Sequence, residues 1–286
     1  MNLIEQKKLT GERALFKGEN LEIVNSTFYD GESPLKESRN IKISGSVFEW
    51  KYPLWYSENI KVSNSVFLET ARSGIWYTKD IAVSDTVINA PKMFRRSVGI
   101  TLKEVELPKA DETLWSCKNV KMNNVTATGD YFGMNSEKMK IYNFSLTGNY
   151  CFDGAKNIEI HNSKLISKDA FWNCENVTVY DSVIIGEYLG WNSKNLTFIN
   201  CYIKSEQGLC YVENLVIRNS KLIDVNLAFE YSTVNVESIT MIDSIKNPAG
   251  GEIISKDIKE IILDDKEIDF NNTKITIGKA DEKYAI

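Results

Sequence analysis

Apolar and polar residues alternate along this chain in short stretches that recur every nineteen to twenty-one residues. Each copy reads Asn, apolar, any, apolar, any, Asn, Ser, any, apolar, and in residues 157–165 the apolar members are Ile158, Ile160 and Leu165. A period of two is typical of a β-strand with one buried face. The second Asn interrupts the alternation, and Asn, Asp and Gly are residues that turns favour. Each copy therefore predicts a strand, a turn and a second short strand.

A fixed period of this length indicates a solenoid, in which each coil completes its core with its neighbours. The copies open at Asn20, Asn40, Asn59, Asp80, Gly99, Asn119, Lys138, Asn157, Asn176, Asn195 and Asn214. Equivalent apolar positions should form continuous buried columns along the stack. One such column is Phe28, Phe48, Phe67, Ile88, Leu165 and Ile184.

The ten or so residues between copies carry Gly, aromatic and β-branched residues and lack the three-to-four spacing of a helix. The sequence therefore predicts an all-β fold, a right-handed single-stranded parallel β-helix of roughly twelve rungs. We expect one domain over residues 1–286, with rungs in 18–256. Residues 1–17 and 257–286 leave the period and are predicted to cap the two ends.

Composition narrows the functional classes. The net charge of -5 argues against nucleic acid as a partner, because a phosphate backbone requires a basic surface. No apolar run approaches the roughly twenty residues of a membrane span, and residues 1–8 lack the apolar stretch of an export signal, which predicts a cytoplasmic protein. The five cysteines are expected to be small buried residues, because Cys117 and Cys174 stand where other copies carry Ser. No metal-ligand spacing or cofactor motif occurs, so we expect neither a metal nor a cofactor.

Aromatic residues occupy two columns of the repeat. Four residues before the opening position come Trp55, Trp76, Trp115, Trp172 and Trp191. Twelve residues after it come Tyr131, Tyr150 and Tyr188. If the tryptophans face solvent, they predict a surface for a saccharide, a partner protein or a second copy of the chain in a homodimer. If they face inward, they are a bulky column of the core.

Four charged residues are the candidates for catalysis: Arg95, Asp130, Asp153 and Glu187. Two carboxyl groups at a suitable separation can hydrolyse a glycosidic bond, and a basic residue can abstract a proton in a lyase. The alternative is that these side chains are solvated residues of an exposed strand. The one histidine, His161, is expected at the surface.

The repeated phrase from Asn20 to about Leu222 resembles that of the pectate-lyase-like superfamily of right-handed β-helices. Together with residues 54–57 (Leu-Trp-Tyr-Ser) and 75–78 (Ile-Trp-Tyr-Thr), it resembles an uncharacterised bacterial family known as a domain of unknown function. The resemblance implies the fold and carries no reaction. The sequence therefore favours a non-catalytic binding or scaffold protein with an aromatic face for a saccharide or protein ligand. The alternative is a carbohydrate-active hydrolase or lyase.

Overall fold

A computed structural model describes residues 1–278 and shows an all-β parallel solenoid of about 15 turns. The chain divides into two compact units, Met1–Thr147 and Gly148–Ile286. Within residues 1–278 the only helical segments are two short 3₁₀ turns, Glu69–Ala71 and Phe270–Asn272. The predicted fold class is therefore confirmed.

The first unit contains one strand pair or one long strand per coil. Its strands are β1 (Asn2–Glu5), β2 (Lys8–Leu9), β3 (Glu19–Val24), β4 (Thr27–Phe28), β5 (Arg39–Ser44), β6 (Val47–Phe48), β7 (Glu58–Ser63), β8 (Val66–Phe67), β9 (Lys79–Ile88), β10 (Val98–Leu107), β11 (Lys118–Thr128) and β12 (Glu137–Thr147). Parallel pairing runs β1-β3-β5-β7-β9-β10-β11-β12. A second ladder runs β2-β4-β6-β8-β9.

The second unit repeats the arrangement. Its strands are β13 (Lys156–His161), β14 (Lys164–Ile166), β15 (Glu175–Tyr180), β16 (Val183–Ile185), β17 (Lys194–Ile199), β18 (Tyr202–Lys204), β19 (Glu213–Leu222), β20 (Thr233–Ser238), β21 (Ile242–Lys246), β22 (Gly250–Ser255), β23 (Ile258–Ile262) and β24 (Thr273–Ile277). The long ladder is β13-β15-β17-β19-β20-β22-β24. Short ladders join β14-β16-β18-β19 and β21-β23.

Equivalent apolar residues lie over one another in the core, as the repeat predicts. In the first unit the ring centroids of Phe28 and Phe48 lie 4.5 Å apart, and those of Phe48 and Phe67 lie 4.4 Å apart. All three side chains are buried. This stacking excludes water from the column and fixes the register of each coil on the next.

Asparagines adopt the backbone conformation of the turns and form hydrogen bonds between coils. Asn25 and Asn64 have φ values of 48° and 46°, in the left-handed region that Asn adopts more readily than most residues. Amide side chains also form hydrogen bonds from coil to coil, as Asn59 Nδ2 does to Asn40 Oδ1 at 2.7 Å. The asparagines of the repeat thus have a structural role.

The coils extend into both segments that the sequence assigns to caps. In residues 1–17, β1 and β2 pair with the next coil. In residues 257–286, β23 and β24 likewise pair with the preceding coils. These outer coils lack the Asn-Ser phrase of the repeat. The periodicity alone therefore predicts about twelve rungs, whereas the structure has about 15 turns. Residues 279–286 of the predicted C-terminal cap lie outside the described residues, and the single-domain assignment stays a prediction.

Candidate functional site: an outward aromatic column

The local backbone decides where the tryptophans point. Leu54 and Ser57 are buried, whereas Trp55 is half-buried and Tyr56 is 49% exposed. Strict strand alternation would send Trp55 and Tyr56 to opposite faces. Tyr56 instead has φ +55°, which turns the chain so that both side chains lie on the outside. The same conformation recurs at Tyr77 and Asn192, so two neighbouring columns face outward.

Backbone carbonyls of the following coil fix the indole N–H groups. In the first unit Trp55 Nε1 donates to Ser73 O at 2.5 Å, and Trp76 Nε1 donates to Lys92 O at 2.8 Å. In the second unit Trp172 and Trp191 donate in the same way, over 2.7 Å and 2.6 Å. These hydrogen bonds hold the rings in one orientation.

The faces of the rings are covered by their neighbours in the column. The Trp55 and Trp76 centroids lie 5.2 Å apart with the rings 8° from parallel. The guanidinium carbon of Arg95 lies 4.7 Å from the Trp76 centroid and 4.7 Å from the Trp115 centroid. The first unit therefore carries a stack in which a cation lies between two indoles. Solvent meets mainly the ring edges.

Arg95 is held in this stack by an ion pair. Its Nη2 lies 2.7 Å from Glu112 Oε2, and Lys92 Nζ lies 3.1 Å from Glu112 Oε1. Partial burial works to raise the pKa of Glu112, but the hydrogen bonds from Lys92 and Arg95 outweigh it and hold that pKa below its usual value. The Arg95 guanidinium is already occupied by two indole rings and a carboxylate, which leaves it poorly placed to abstract a proton from a substrate.

A second aromatic column borders the first. The Tyr56 and Tyr77 rings stack with centroids 4.8 Å apart, and the Lys36 ammonium lies 5.7 Å from the Tyr56 ring. We call Trp55, Tyr56, Trp76 and Tyr77 the aromatic face. Further along the first unit, Tyr131 is 37% exposed and lies 6.4 Å from Trp115.

The second unit has its own aromatic run. The rings of Trp172 and Trp191 lie 5.9 Å apart, and Tyr188 meets Trp191 edge-on at 5.8 Å. Tyr211 continues the run 5.2 Å from Trp191, and Tyr231 lies 5.2 Å beyond it. Neither Tyr211 nor Tyr231 was among the predicted site residues, although Tyr211 follows in the same column as Tyr56.

Two of the three candidate carboxylates, Asp153 and Glu187, have polar side-chain partners. Asp130 belongs to the first unit, where its backbone N–H donates to Asp111 Oδ1 at 3.1 Å. In the second unit Asp153 Oδ1 accepts from Asn173 Nδ2 at 2.8 Å, and Glu187 pairs with Lys168 at 3.3 Å. These contacts are those of side chains integrated into a polar surface.

Asp169 is a carboxylate that the sequence reasoning did not select. It is 3% exposed, and burial raises its pKa above the usual value. Lys168 and a hydrogen bond from Tyr150 oppose that shift, whereas Glu187 and Asp153 add to it. Asp169 thus brings Tyr150 and the candidate acids Asp153 and Glu187 into one electrostatic neighbourhood. Asp169 occupies the same position of the repeat as Tyr150 and Tyr188, and that position is the feature of the sequence that could have identified it.

The one histidine and the five cysteines lie where the sequence predicts them. His161 lies on the outer face, with Nε2 2.8 Å from Glu159 Oε1 and its ring stacked on Tyr180 at 4.5 Å. All five cysteines are buried and free, as predicted. Across residues 1–278, no three His, Cys, Asp or Glu side chains are grouped as a metal site would require. That same part of the chain has no helix of the length and apolarity needed to cross a membrane.

Solved structures with similar coils include an epimerase module and a surface adhesin. The A-module of the Azotobacter vinelandii mannuronan C-5 epimerase AlgE4 is 9% identical, and the match covers 96% of this chain and 89% of that one with a TM-score of 0.41. PfbA, a surface adhesin of Streptococcus pneumoniae, is 11% identical over 80% of this chain and 72% of its own, with a TM-score of 0.40. At these values the likeness concerns the fold alone. No curated protein matches the chain.

The repeat itself matches a family model over nearly its whole length. Residues 2–276 match the family described as "Protein of unknown function (DUF3737)". This span includes every coil strand except the last residue of β24 and every aromatic residue of the two outward columns. The chain therefore belongs to the DUF3737 family.

Proposed function

We propose that this chain is a non-catalytic binding protein whose aromatic face, Trp55, Tyr56, Trp76 and Tyr77, binds a partner protein. The observation that carries the proposal is the outward direction of both columns, because it places four aromatic rings side by side on two successive coils. Tyrosine and tryptophan dominate the binding energy of protein interfaces.

Rigidity supports the same proposal. The indoles are fixed by hydrogen bonds to Ser73 O and Lys92 O, and each ring is stacked on the next. Binding therefore freezes few side-chain rotations, which lowers the entropy cost of association. Lys36 and Arg95 border the rings and supply charged groups at the rim.

The stacking favours a protein over a saccharide as the ligand. A sugar ring packs its apolar side against an open aromatic face, but Trp55, Tyr56 and Trp76 each have a ring face against Trp, Tyr or Arg of the next coil. Ring edges, tyrosine hydroxyls and flanking polar groups remain for contact. These groups suit the mixed polar and aromatic contacts of a protein interface.

A site-specific photo-crosslinking experiment tests the proposal. The photoreactive amino acid p-benzoylphenylalanine replaces Tyr56, Tyr77 or, as a control, Tyr29, which is 43% exposed against 49% for Tyr56. We expect irradiation of cells that produce each variant to give one discrete protein adduct from positions 56 and 77 and none from 29. An adduct of twice the chain mass would identify the partner as a second copy.

Two results would contradict the proposal. One is the absence of adducts at positions 56 and 77, or the same adducts at position 29. The other is saccharide binding on a glycan array that Tyr56→Ala abolishes, because the ligand would then be a sugar. With a partner identified, we expect Tyr56→Ala and Tyr77→Ala each to weaken binding by about thirtyfold, the loss at which an interface residue counts as a hot spot.

Asp169 supports a second candidate, the carbohydrate-active hydrolase. A buried carboxyl group whose pKa is raised can act as a general acid, and Asp153 and Glu187 lie near enough to influence it. A reducing-sugar assay over acidic and neutral polysaccharides tests this function. Turnover that Asp169→Asn abolishes and Asp130→Asn leaves intact would replace the binding proposal with the hydrolase.

A further inference from the structure

The long sheet of the first unit has a hollow on its outer face, over β7, β9, β10 and β11. In register across these strands, Lys61 is followed by Ala82, Thr101 and Lys121, so two short side chains lie between two long ones. Three ladder steps of about 4.8 Å separate the two lysine positions, a span of roughly 14 Å. The depression has a volume of about 400 Å³, which is within the size range of sites for small molecules.

Gly99 extends the hollow to the edge of the sheet. It occupies the opening position of its coil, where the coils on either side carry Asp80 and Asn119. A Cβ atom at Gly99 would lie 2.3 Å from Asp80 Oδ1, so the Asp80 carboxylate uses the space that a side chain would fill. The φ angle of Gly99 is 74°, in a region that Asn also adopts. The missing side chain, more than the backbone, therefore distinguishes this coil.

The Asp80 carboxylate is left without a partner by this arrangement. Glu104 and Asp181, two other carboxylates of the asparagine columns, each accept a hydrogen bond from an amide of the following coil, over 2.6 Å and 3.0 Å. The coil that follows Asp80 offers only Gly99 at the equivalent position. Across residues 1–278, the Asp80 side chain forms neither a hydrogen bond nor an ion pair.

Asn59 provides a second acceptor beside Asp80. Its Nδ2 donates to Asn40 Oδ1 at 2.7 Å, which continues the row of amides from the coil before. The next coil carries Asp80, whose carboxylate has no N–H to donate back to Asn59 Oδ1. Asn59 and Asp80 both line the hollow, so its edge along the opening positions presents acceptor oxygens.

The hollow is lined by charges of both signs. Lysine recurs at this outward position on several coils, at Lys42, Lys61, Lys121 and Lys140, so lysine charge alone does not distinguish this part of the sheet. The particular feature is that Asp80 lies on a strand between those of Lys61 and Lys121 and, within the described residues, pairs with neither. A purely anionic ligand would be repelled by Asp80, and a purely cationic one by the two lysines.

We propose that this depression binds a free α-amino acid through its ammonium and carboxylate groups. The ammonium group donates to Asp80 and Asn59 Oδ1, and the carboxylate accepts from Thr101 and Lys121. The two columns of side chains are two residues apart along each strand, about 6.6 Å, which one amino acid spans with a hydrogen bond at each end. The ligand thus joins opposite charges that the protein holds apart.

Titration calorimetry of the whole chain with L-serine tests the proposal. We expect saturable binding of one equivalent that weakens at high salt. Asp80→Asn and Lys121→Gln should each lower the affinity at least about tenfold, because each removes a charged hydrogen bond. Gly99→Asn should abolish binding, because it places the usual residue of the opening position in the hollow and gives Asp80 an amide partner.

Gly45→Asn is the matched control. Gly45 interrupts the other asparagine column of the first unit, and a Cβ atom there would lie 2.2 Å from Asn25 Oδ1, as close an approach as at Gly99. It is outside the hollow, so this substitution should leave the affinity for L-serine unchanged. Thermal unfolding of both variants shows that each is folded. Equal losses of binding in the two variants would overturn the proposal.

Altered ligands identify the groups that are recognised. N-acetyl-L-serine lacks the ammonium group and L-serine methyl ester lacks the carboxylate, so each should bind at least about tenfold more weakly than L-serine. L-alanine should bind as L-serine does, since the hollow is open and the contacts involve no ligand side chain. Glucose tests a neutral polyhydroxyl ligand, and affinity equal to that of L-serine would overturn the assignment.

The proposal also fails if neither L-serine nor L-alanine shows saturable binding, or if the acetylated or esterified ligand binds as well as L-serine. None of the lining residues belongs to the aromatic face. The result is therefore independent of the partner-protein proposal.

Discussion

Individual charged residues in this protein depend on the coil above or below for their chemistry. Arg95 lies between two indoles and pairs with Glu112, and both contacts come from adjacent coils. Asp169 is buried, its pKa is raised by that burial, and Tyr150 and Glu187 of the neighbouring coils modify the shift. Contacts with neighbouring coils therefore determine the properties of these charged side chains, and the sequence alone does not show those contacts.

Asp169 gives a pH-dependent prediction. Because its pKa is raised on folding, it stabilises the native state most below its unfolded pKa, about 3.8, and this contribution is lost as pH rises through the native pKa. Asp169→Asn removes the titration. The unfolding free energy of the variant minus that of the wild type should therefore rise with pH, by at most about 1.4 kcal/mol per unit for one proton.

Urea unfolding of both proteins between about pH 3 and pH 7 measures this difference. Asp30→Asn is the control, because Asp30 is exposed and is not among the groups that shift the pKa of Asp169. A difference that is constant or falls with pH for Asp169→Asn would contradict the buried position of its carboxyl group.

At the scale of the element, buried hydroxyl groups join neighbouring coils in addition to the strand ladders. Ser97 Oγ donates to Ile75 O at 3.0 Å and accepts from the Thr78 N–H at 3.1 Å. The same position in neighbouring coils holds Ser57, Cys117 and Ser136, each bonded to a carbonyl of the preceding coil. These contacts satisfy polar backbone groups that the turn leaves without ladder partners.

Ser97→Ala should therefore destabilise the first unit by about 1–3 kcal/mol, because it leaves buried backbone groups without a partner. Ser145→Ala, at an exposed position of β12, should change the stability by less than about 0.5 kcal/mol. Denaturant titration followed by tryptophan fluorescence measures both. Equal effects of the two substitutions would show that the Ser97 hydroxyl is replaced by water.

The elements also show how far the sequence determines the fold and where it stops. Alternation and period were enough to predict the coils and the Phe28 column, since both follow from burial. They could not give the direction of Trp55 and Tyr56, because the left-handed conformation of a tyrosine leaves no mark in composition.

Over the whole molecule, both units protect their thiols. Burial raises the pKa of Cys117, Cys151 and Cys210 to about 12 and that of Cys201 to about 11, and it raises that of Cys174 well above the usual value. A thiol of high pKa without access to solvent is a poor nucleophile. The cysteines therefore fill space in the core.

The native protein should consequently fail to react with a thiol reagent such as dithiobis(nitrobenzoate) at neutral pH. We expect all five thiols to react in denaturant, and the native rate to follow the rate of unfolding. Ser145→Cys supplies an exposed thiol as the positive control. Rapid reaction of a native cysteine would locate a coil that opens without global unfolding.

The constant step of nineteen residues between Asn157, Asn176, Asn195 and Asn214 has a consequence for how such a chain changes length. Excising residues 176–194 would join Glu175 to Asn195, so the coil that begins at Asn157 would be followed directly by the coil that begins at Asn195. Every contact between neighbouring coils would then be made by equivalent positions of the repeat. Excising ten would leave each inward side chain facing a mismatched one. The protein is thus modular in units of a full coil, and insertion or loss of genetic material in that unit is the change that its core tolerates.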